Sequence, residues 1–162
     1  MAYDARVIAN HMLDRADHVG VEVTNLALNK LVYFAHGTYF STFSERLVKN
    51  SFEAWQYGPV VQVVYDAFKS YGSSRIMGRA RRFNPVEHAY EEITESVTPQ
   101  DALIVDGVFD MFSSMTAGQL VALSHEEGSP WAMLWESADL VVRPGMVIRD
   151  DEIVAHMRRY AA

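Results

Sequence analysis

Apolar residues recur at helical spacing over most of this chain. Behind Asp4, the positions Val7, Ile8, Met12 and Ala16 trace one stripe, with His11 and Arg15 beside it. Asp4 is placed to cap the first turn, so a helix ending near Asp17 is predicted. In TNLALNKLVYFAHGTYFSTF the stripe is Leu28, Leu31, Val32, Ala35 and Tyr39, behind a Thr24 or Asn25 cap. Leu26, Tyr33 and Phe34 make the other flank apolar as well, which predicts a largely buried second helix.

From Glu45 to Tyr57 the helical period is lost, and Leu47, Val48, Phe52, Ala54, Trp55 and Tyr57 fit a short extended piece. Gly58-Pro59 halts it. Proline suits the first turn of a helix, where its missing donor would be unpaired anyway, so a third helix is expected from Pro59 through Val63, Val64, Phe68 and Tyr71 to Gly72. Residues 73–97 carry no sustained period and read as a long connection with a strand at each end.

Thr98-Pro99 opens a fourth helix through Leu103, Ile104, Val108, Met111 and Phe112, expected in the core. Thr116 and Gln119 form a capping box for a short helix carrying Leu120, Leu123 and Ser124 and stopping at Gly128. Ser129-Pro130 opens another, with Trp131, Leu134 and Trp135 on one face. Asp150 is expected to cap a last helix bearing Ile153, Val154, Met157 and Tyr160. The fold predicted is mainly α, with about six to seven helices and short β elements around 47–57 and 75–97, in one domain over 1–162.

Composition adds limits. The chain is 49% hydrophobic and 22% charged, as in ordinary globular proteins, and a net charge of -7 disfavours nonspecific nucleic-acid binding. With no cysteine there is no disulfide, thiolate nucleophile or thiolate zinc site. No run approaches the roughly 20 apolar residues that span a bilayer, and the N-terminus lacks the apolar core of a signal peptide, so a cytoplasmic location is expected.

Nucleotide-loop, zincin and nucleophile-elbow motifs are missing from the sequence. Ser124 and His125 are adjacent, and neighbours on a helix diverge by about 100°, so they do not make a nucleophile and base. The histidines at 11, 18, 36, 88, 125 and 156 are scattered and no metal site is expected. Three readings of His125 stay open: a partly buried ring, a partner contact, or the base of a cryptic hydrolase with Glu126 or Glu53. Arg75, Arg79, Arg81 and Arg82 make a local basic run, read as a solvated loop or as contacts to an acidic partner; in a DNA-binding autoregulator they would meet phosphate. Trp55, Trp131 and Trp135 either fill the core or serve as interface anchors.

Three stretches in this order resemble the signatures of the Panacea domain: LNKLVYFAHG at 28–37, FEAWQYGPVV and YDAFKSYG within 52–72, and LSHEEGSPWA at 123–132. The resemblance implies a mostly helical antitoxin of a bacterial toxin–antitoxin pair, which neutralises its toxin by direct protein contact and needs no cofactor. Some members are also proteolytic adaptors that present the toxin to the ClpXP protease. Motif match carries over Lys30, Leu31, Tyr33, Phe34, Glu53, Gly58, Pro59 and Pro130 as residues that shape the fold. Trp55, Tyr57, His125 and Trp131 belong to the same motifs and, with the four arginines, are the candidate toxin contacts. Partner-specific contacts are expected in 40–50 and 73–97. The final pair Ala161-Ala162 is similar to C-terminal tags read by ClpX-type unfoldases.

Overall fold

A computed structural model describes residues 2–126, 129–132 and 146–158. The fold is mainly α-helical with short antiparallel strands, as the periodicity predicts. Helix α1 is Ala5–Val19. Its Asp4 cap accepts from the Arg6 N–H, and Gly20 closes it in the left-handed region at φ 76°. Helix α2, Asn25–Phe43, is capped by Thr24, whose hydroxyl accepts from the Ala27 N–H. Thirteen of its 19 residues are buried, among them Leu28, Leu31, Val32, Tyr33 and Phe34. Each such large side chain contributes about 1.5–3 kcal/mol by leaving water, so α2 is the axis of the core.

The remaining elements are arranged around it. Strands β1 (Phe52–Trp55) and β2 (Gly58–Val60) form a hairpin, and α3 (Gln62–Phe68) continues into a 3₁₀ turn over Lys69–Tyr71. Among the described residues, strands β3 (Arg81–Asn84) and β4 (Ala89–Glu92) pair with each other alone, and α4 (Pro99–Phe112), α5 (Ala117–Ser124), β5 (Val147–Ile148) and α6 (Asp150–Met157) follow. Helix α2 packs against α1, α3, α4, α5, α6 and β2. The three-stranded sheet has the order β2-β1-β5, all antiparallel.

Several expectations need correction. Gly58-Pro59 is not a strand-to-helix corner: Pro59 is inside β2, opposite Ala54, and α3 begins three residues later. The Ala54 N–H donates instead to the Met146 carbonyl on the β5 side, and β2 is an edge strand, the place in a sheet where a missing donor is harmless. Leu47 and Val48 lie outside β1; their stretch is tied to the N-terminal segment, with Tyr3 N–H donating to the Leu47 carbonyl and Lys49 N–H to that of Tyr3. The strands of 73–97 lie in its middle, because Asn84 folds the chain back by accepting from the Val86 and Glu87 N–H groups.

Helix α4 is not buried all round. It buries Val105, Val108 and Phe109, while Leu103 and Met111 are 76% and 69% exposed. Asp150 is the first residue of α6 and Arg149 its N-cap. The Thr116–Gln119 capping box forms as read, but α5 ends at Ser124. Gly128, Leu134, Trp135, Tyr160 and the Ala161-Ala162 pair lie outside the described residues. No described helix is long and apolar enough to cross a membrane.

Helix α6 seals the far side of α2. Gly37 makes this possible, since a Cβ there would stand 2.9 Å from Ile153 Cγ2 and run into Met157. Two histidines fasten the seam. His36 Nδ1 accepts from the Val48 N–H, which leaves Nε2–H to donate to Asp150 at 3.0 Å. His156 bridges Tyr33 OH (3.0 Å) and the Glu126 carboxylate (2.8 Å).

A candidate partner-binding site

The residues singled out by motif converge on the β1–β2 hairpin. Lys30 projects from α2 into the core, fully buried, and its amine donates to the Pro59 carbonyl at 2.7 Å. Burial pulls its pKa down to about 7, since an ammonium without a carboxylate partner is poorly solvated there. One position earlier, Asn29 accepts from the Val61 N–H and donates to Asn25, which in turn donates to the Tyr65 carbonyl. Thus α2 satisfies the backbone of the hairpin and of α3 through three successive side-chain links.

Gly58 lies where the elements meet. Its φ of 106° is open to glycine, and a Cβ would be 2.6 Å from Ser124 Oγ, 2.8 Å from Lys30 Cε and 3.2 Å from His125 Nε2. Both criteria, conformation and space, require glycine. Ser124 is buried and donates to the Val121 carbonyl, not to His125. His125 stacks on Trp131 with ring centroids 3.5 Å apart, and the Trp131 indole N–H donates to the Trp55 carbonyl. Burial, and then the charge on Lys30, push the His125 pKa down to about 4, so the ring is neutral at pH 7. Its Nε2 is buried with no hydrogen-bond partner among the described residues, as is the Trp55 indole nitrogen.

Trp55 faces outward. Its ring meets Tyr65 edge-on at 4.8 Å, and with Tyr57 and Val60 the two line an open pocket of about 420 Å³. Tyr57, in the hairpin turn, is 57% exposed. The site therefore has a polar, close-packed floor of Lys30, Gly58, Ser124 and His125 and an aromatic outer wall. Of the fold-shaping motif residues, Leu31, Tyr33 and Phe34 are core side chains of α2, and Pro130 is the first of the described helical residues 130–132, which include Trp131.

Trp55, Tyr57, His125 and Trp131 are thus brought together; the four arginines are placed elsewhere, at the end of α1 and along the β3–β4 hairpin. Arg79 holds Asp14 and Asp17 of α1, Arg82 holds Glu95, and Arg75 is 3.6 Å from Glu22. Arg81 is opposite Glu92, on the other face of β3 from Arg82. Sequence reasoning did not find Asn25, Asn29 or Ser124 as members of the site. Asn29 at a buried position of an apolar helix was the available signal, because a buried amide needs partners. Among the described residues no group of three or more histidine, aspartate or glutamate side chains could hold a metal ion.

Comparison with known proteins adds the family context. The family described as "Antitoxin SocA-like, Panacea domain" matches residues 28–132, which include every residue of the floor and wall just described. The chain is 35% identical over 158 residues to the protein named Antitoxin SocA of Caulobacter vibrioides, covering 96% of this chain and 82% of that one. No solved structure matches.

Proposed function

The chain belongs to the family of SocA-like Panacea-domain antitoxins, and on that premise we propose that it neutralises a bacterial protein toxin by binding it directly, without catalysing a reaction. The observation that carries this reading is the identity with an antitoxin along nearly the whole chain, not over one motif. The aromatic wall of Trp55, Tyr57 and Tyr65 supports it, because rigid aromatics with polar tips are the side chains that dominate protein interfaces.

The protein works in the cytoplasm, and it delivers the toxin to ClpXP as an adaptor, with the toxin and the protease on separate surfaces. Coexpression tests the two claims apart. A toxin encoded beside this gene is retained on the tagged chain if neutralisation is by contact. Its half-life shortens in cells holding the protease if delivery follows. Retention with an unchanged half-life removes the adaptor role alone, and no retention removes both.

The other readings find less support. Three of the four arginines that would meet DNA are already engaged by carboxylates. A hydrolase would need His125 paired with a carboxylate and a free hydroxyl, whereas Glu126 holds His156 and the Ser124 hydroxyl is committed to Val121.

A further inference from the structure

The β3–β4 hairpin is tied firmly at its base and bare beyond it. Asn10 of α1 grips Ala80, just before β3, at both backbone groups: its amide donates to the Ala80 carbonyl at 3.1 Å and its Oδ1 accepts from the Ala80 N–H at 2.8 Å. Arg79 holds Asp14 and Asp17, and Arg82 holds Glu95 just past β4. Every residue of β4 is exposed, and Phe83 and Tyr90, opposite each other on one face, meet edge-on at 5.4 Å with Tyr90 68% exposed. Two strands alone are marginal in water, and a third is the ordinary means of stabilising them. Among the described residues no strand covers the outer edge of β4, so alternate backbone N–H and C=O groups along it have no strand partner. That edge is acidic. Glu91 and Glu92 lie on it and Glu87 in the turn before it, none of them in an ion pair among the described residues. Over residues 81–95, Arg81 and Arg82 against four glutamates leave two net negative charges.

We propose that an extended strand of the toxin pairs with the outer edge of β4, basic where it passes Glu91 and Glu92 and apolar where it passes Tyr90. This rests on the toxin-binding reading and specifies the partner's chemistry at a surface that shares no residue with the Trp55 pocket. In strand addition the main chain supplies hydrogen bonds to any sequence, and the side chains decide which strand is accepted. Here charge makes the choice. A second copy of β4 would set glutamates beside glutamates, which is destabilising, whereas a basic strand of another protein answers the carboxylates. The exposed Phe83 and Tyr90 rings then give its apolar side chain a surface to cover.

The test is hydrogen exchange, followed by mass spectrometry, on the chain alone and on its copurified complex with the toxin encoded beside this gene. Amides of 89–92 that face the free edge should exchange about tenfold or more slowly in the complex. Replacing Glu91→Lys and Glu92→Lys together, at exposed positions, should leave the melting temperature close to that of the wild type and weaken toxin retention about fivefold or more. Glu91→Gln with Glu92→Gln, which removes charge without reversing it, should fall between the two and keeps the test readable if the lysine pair unfolds. A retained toxin with 89–92 unprotected, or undiminished retention by both pairs of substitutions, overturns this inference and leaves neutralisation by contact standing. Protection of 89–92 that grows with the concentration of the chain alone assigns the edge to a second copy and overturns it as well. If the unmutated chain retains no toxin, the proposed function falls and this inference with it.

Discussion

His125 and Trp131 lie face to face, their ring centroids 3.5 Å apart and their planes 8° from parallel. Because Trp131 also donates to the Trp55 carbonyl, the stack joins the end of α5 to β1 across a polar floor that includes the buried amine of Lys30. A charged His125 would stand next to that amine; the neutral ring does not conflict with it.

Acid should therefore loosen this corner. The folded pKa of His125, about 4, is below its ordinary value near 6.5, so between those values the unfolded chain binds more protons. The stabilising contribution is complete above about pH 6.5 and is lost as pH falls toward 4. His125→Phe keeps a ring against Trp131 and removes the titration. Urea unfolding at pH 7 and pH 5 should show a smaller fall in stability for the variant than for the wild type.

Lys30 acts in the other half of the pH scale. Its folded pKa of about 7 is below the ordinary value of 10.5, so stability should rise with pH from about 7 to 10.5, with a slope of at most about 1.4 kcal/mol per pH unit. Lys30→Met fills similar space without titrating. In matched urea titrations at pH 7, 8.5 and 10, the rise attributable to this group should be absent from the variant; an equal rise in both proteins would mean that the amine is not neutralised.

Two glycines permit a controlled comparison. Gly20 and Gly58 both have positive φ, but a Cβ at Gly20 meets nothing within 4 Å, whereas at Gly58 it meets Ser124, Lys30 and His125. Gly20→Ala should cost about 1 kcal/mol, from backbone conformation alone. Gly58→Ala should cost about 3 kcal/mol or more, because crowding is added to strain. Denaturant midpoints of the two variants measure the difference.

Trp131→Phe separates stacking from hydrogen bonding. The ring can still lie on His125, but the Trp55 carbonyl loses its indole donor. A loss of about 1–2 kcal/mol in thermal or denaturant unfolding is expected. No loss would show that another donor serves that carbonyl in solution.

The helices were legible because their signals are local. Asp4, Thr24, Thr98 and Thr116 cap as their side-chain chemistry dictates, within three residues of the groups they satisfy. The hairpin was not. Proline is equally suited to a helix start and to an edge strand, and what decides at Pro59 is remote: the Met146 carbonyl, just before β5, takes the Ala54 donor. The arginine run looked like one patch because it is contiguous in sequence, yet alternation along β3 sends Arg81 and Arg82 to opposite faces and the acids of α1 take Arg79. In the candidate site the motifs named the floor and the wall, while the reason for Lys30, an acceptor on a strand 29 residues away, needed the fold.

The placement of α6 and β5 also has a consequence for synthesis. Gly37 and the open edge of β1 are made early, and the pieces that cover them, Ile148, Ile153 and Met157, are translated 96 to 120 residues later. A growing chain on the ribosome therefore carries a bare face of its central helix and an unpaired strand edge until β5 and α6 have emerged. Bare apolar surface and an unpaired strand edge are the features that chaperones shield in unfinished chains.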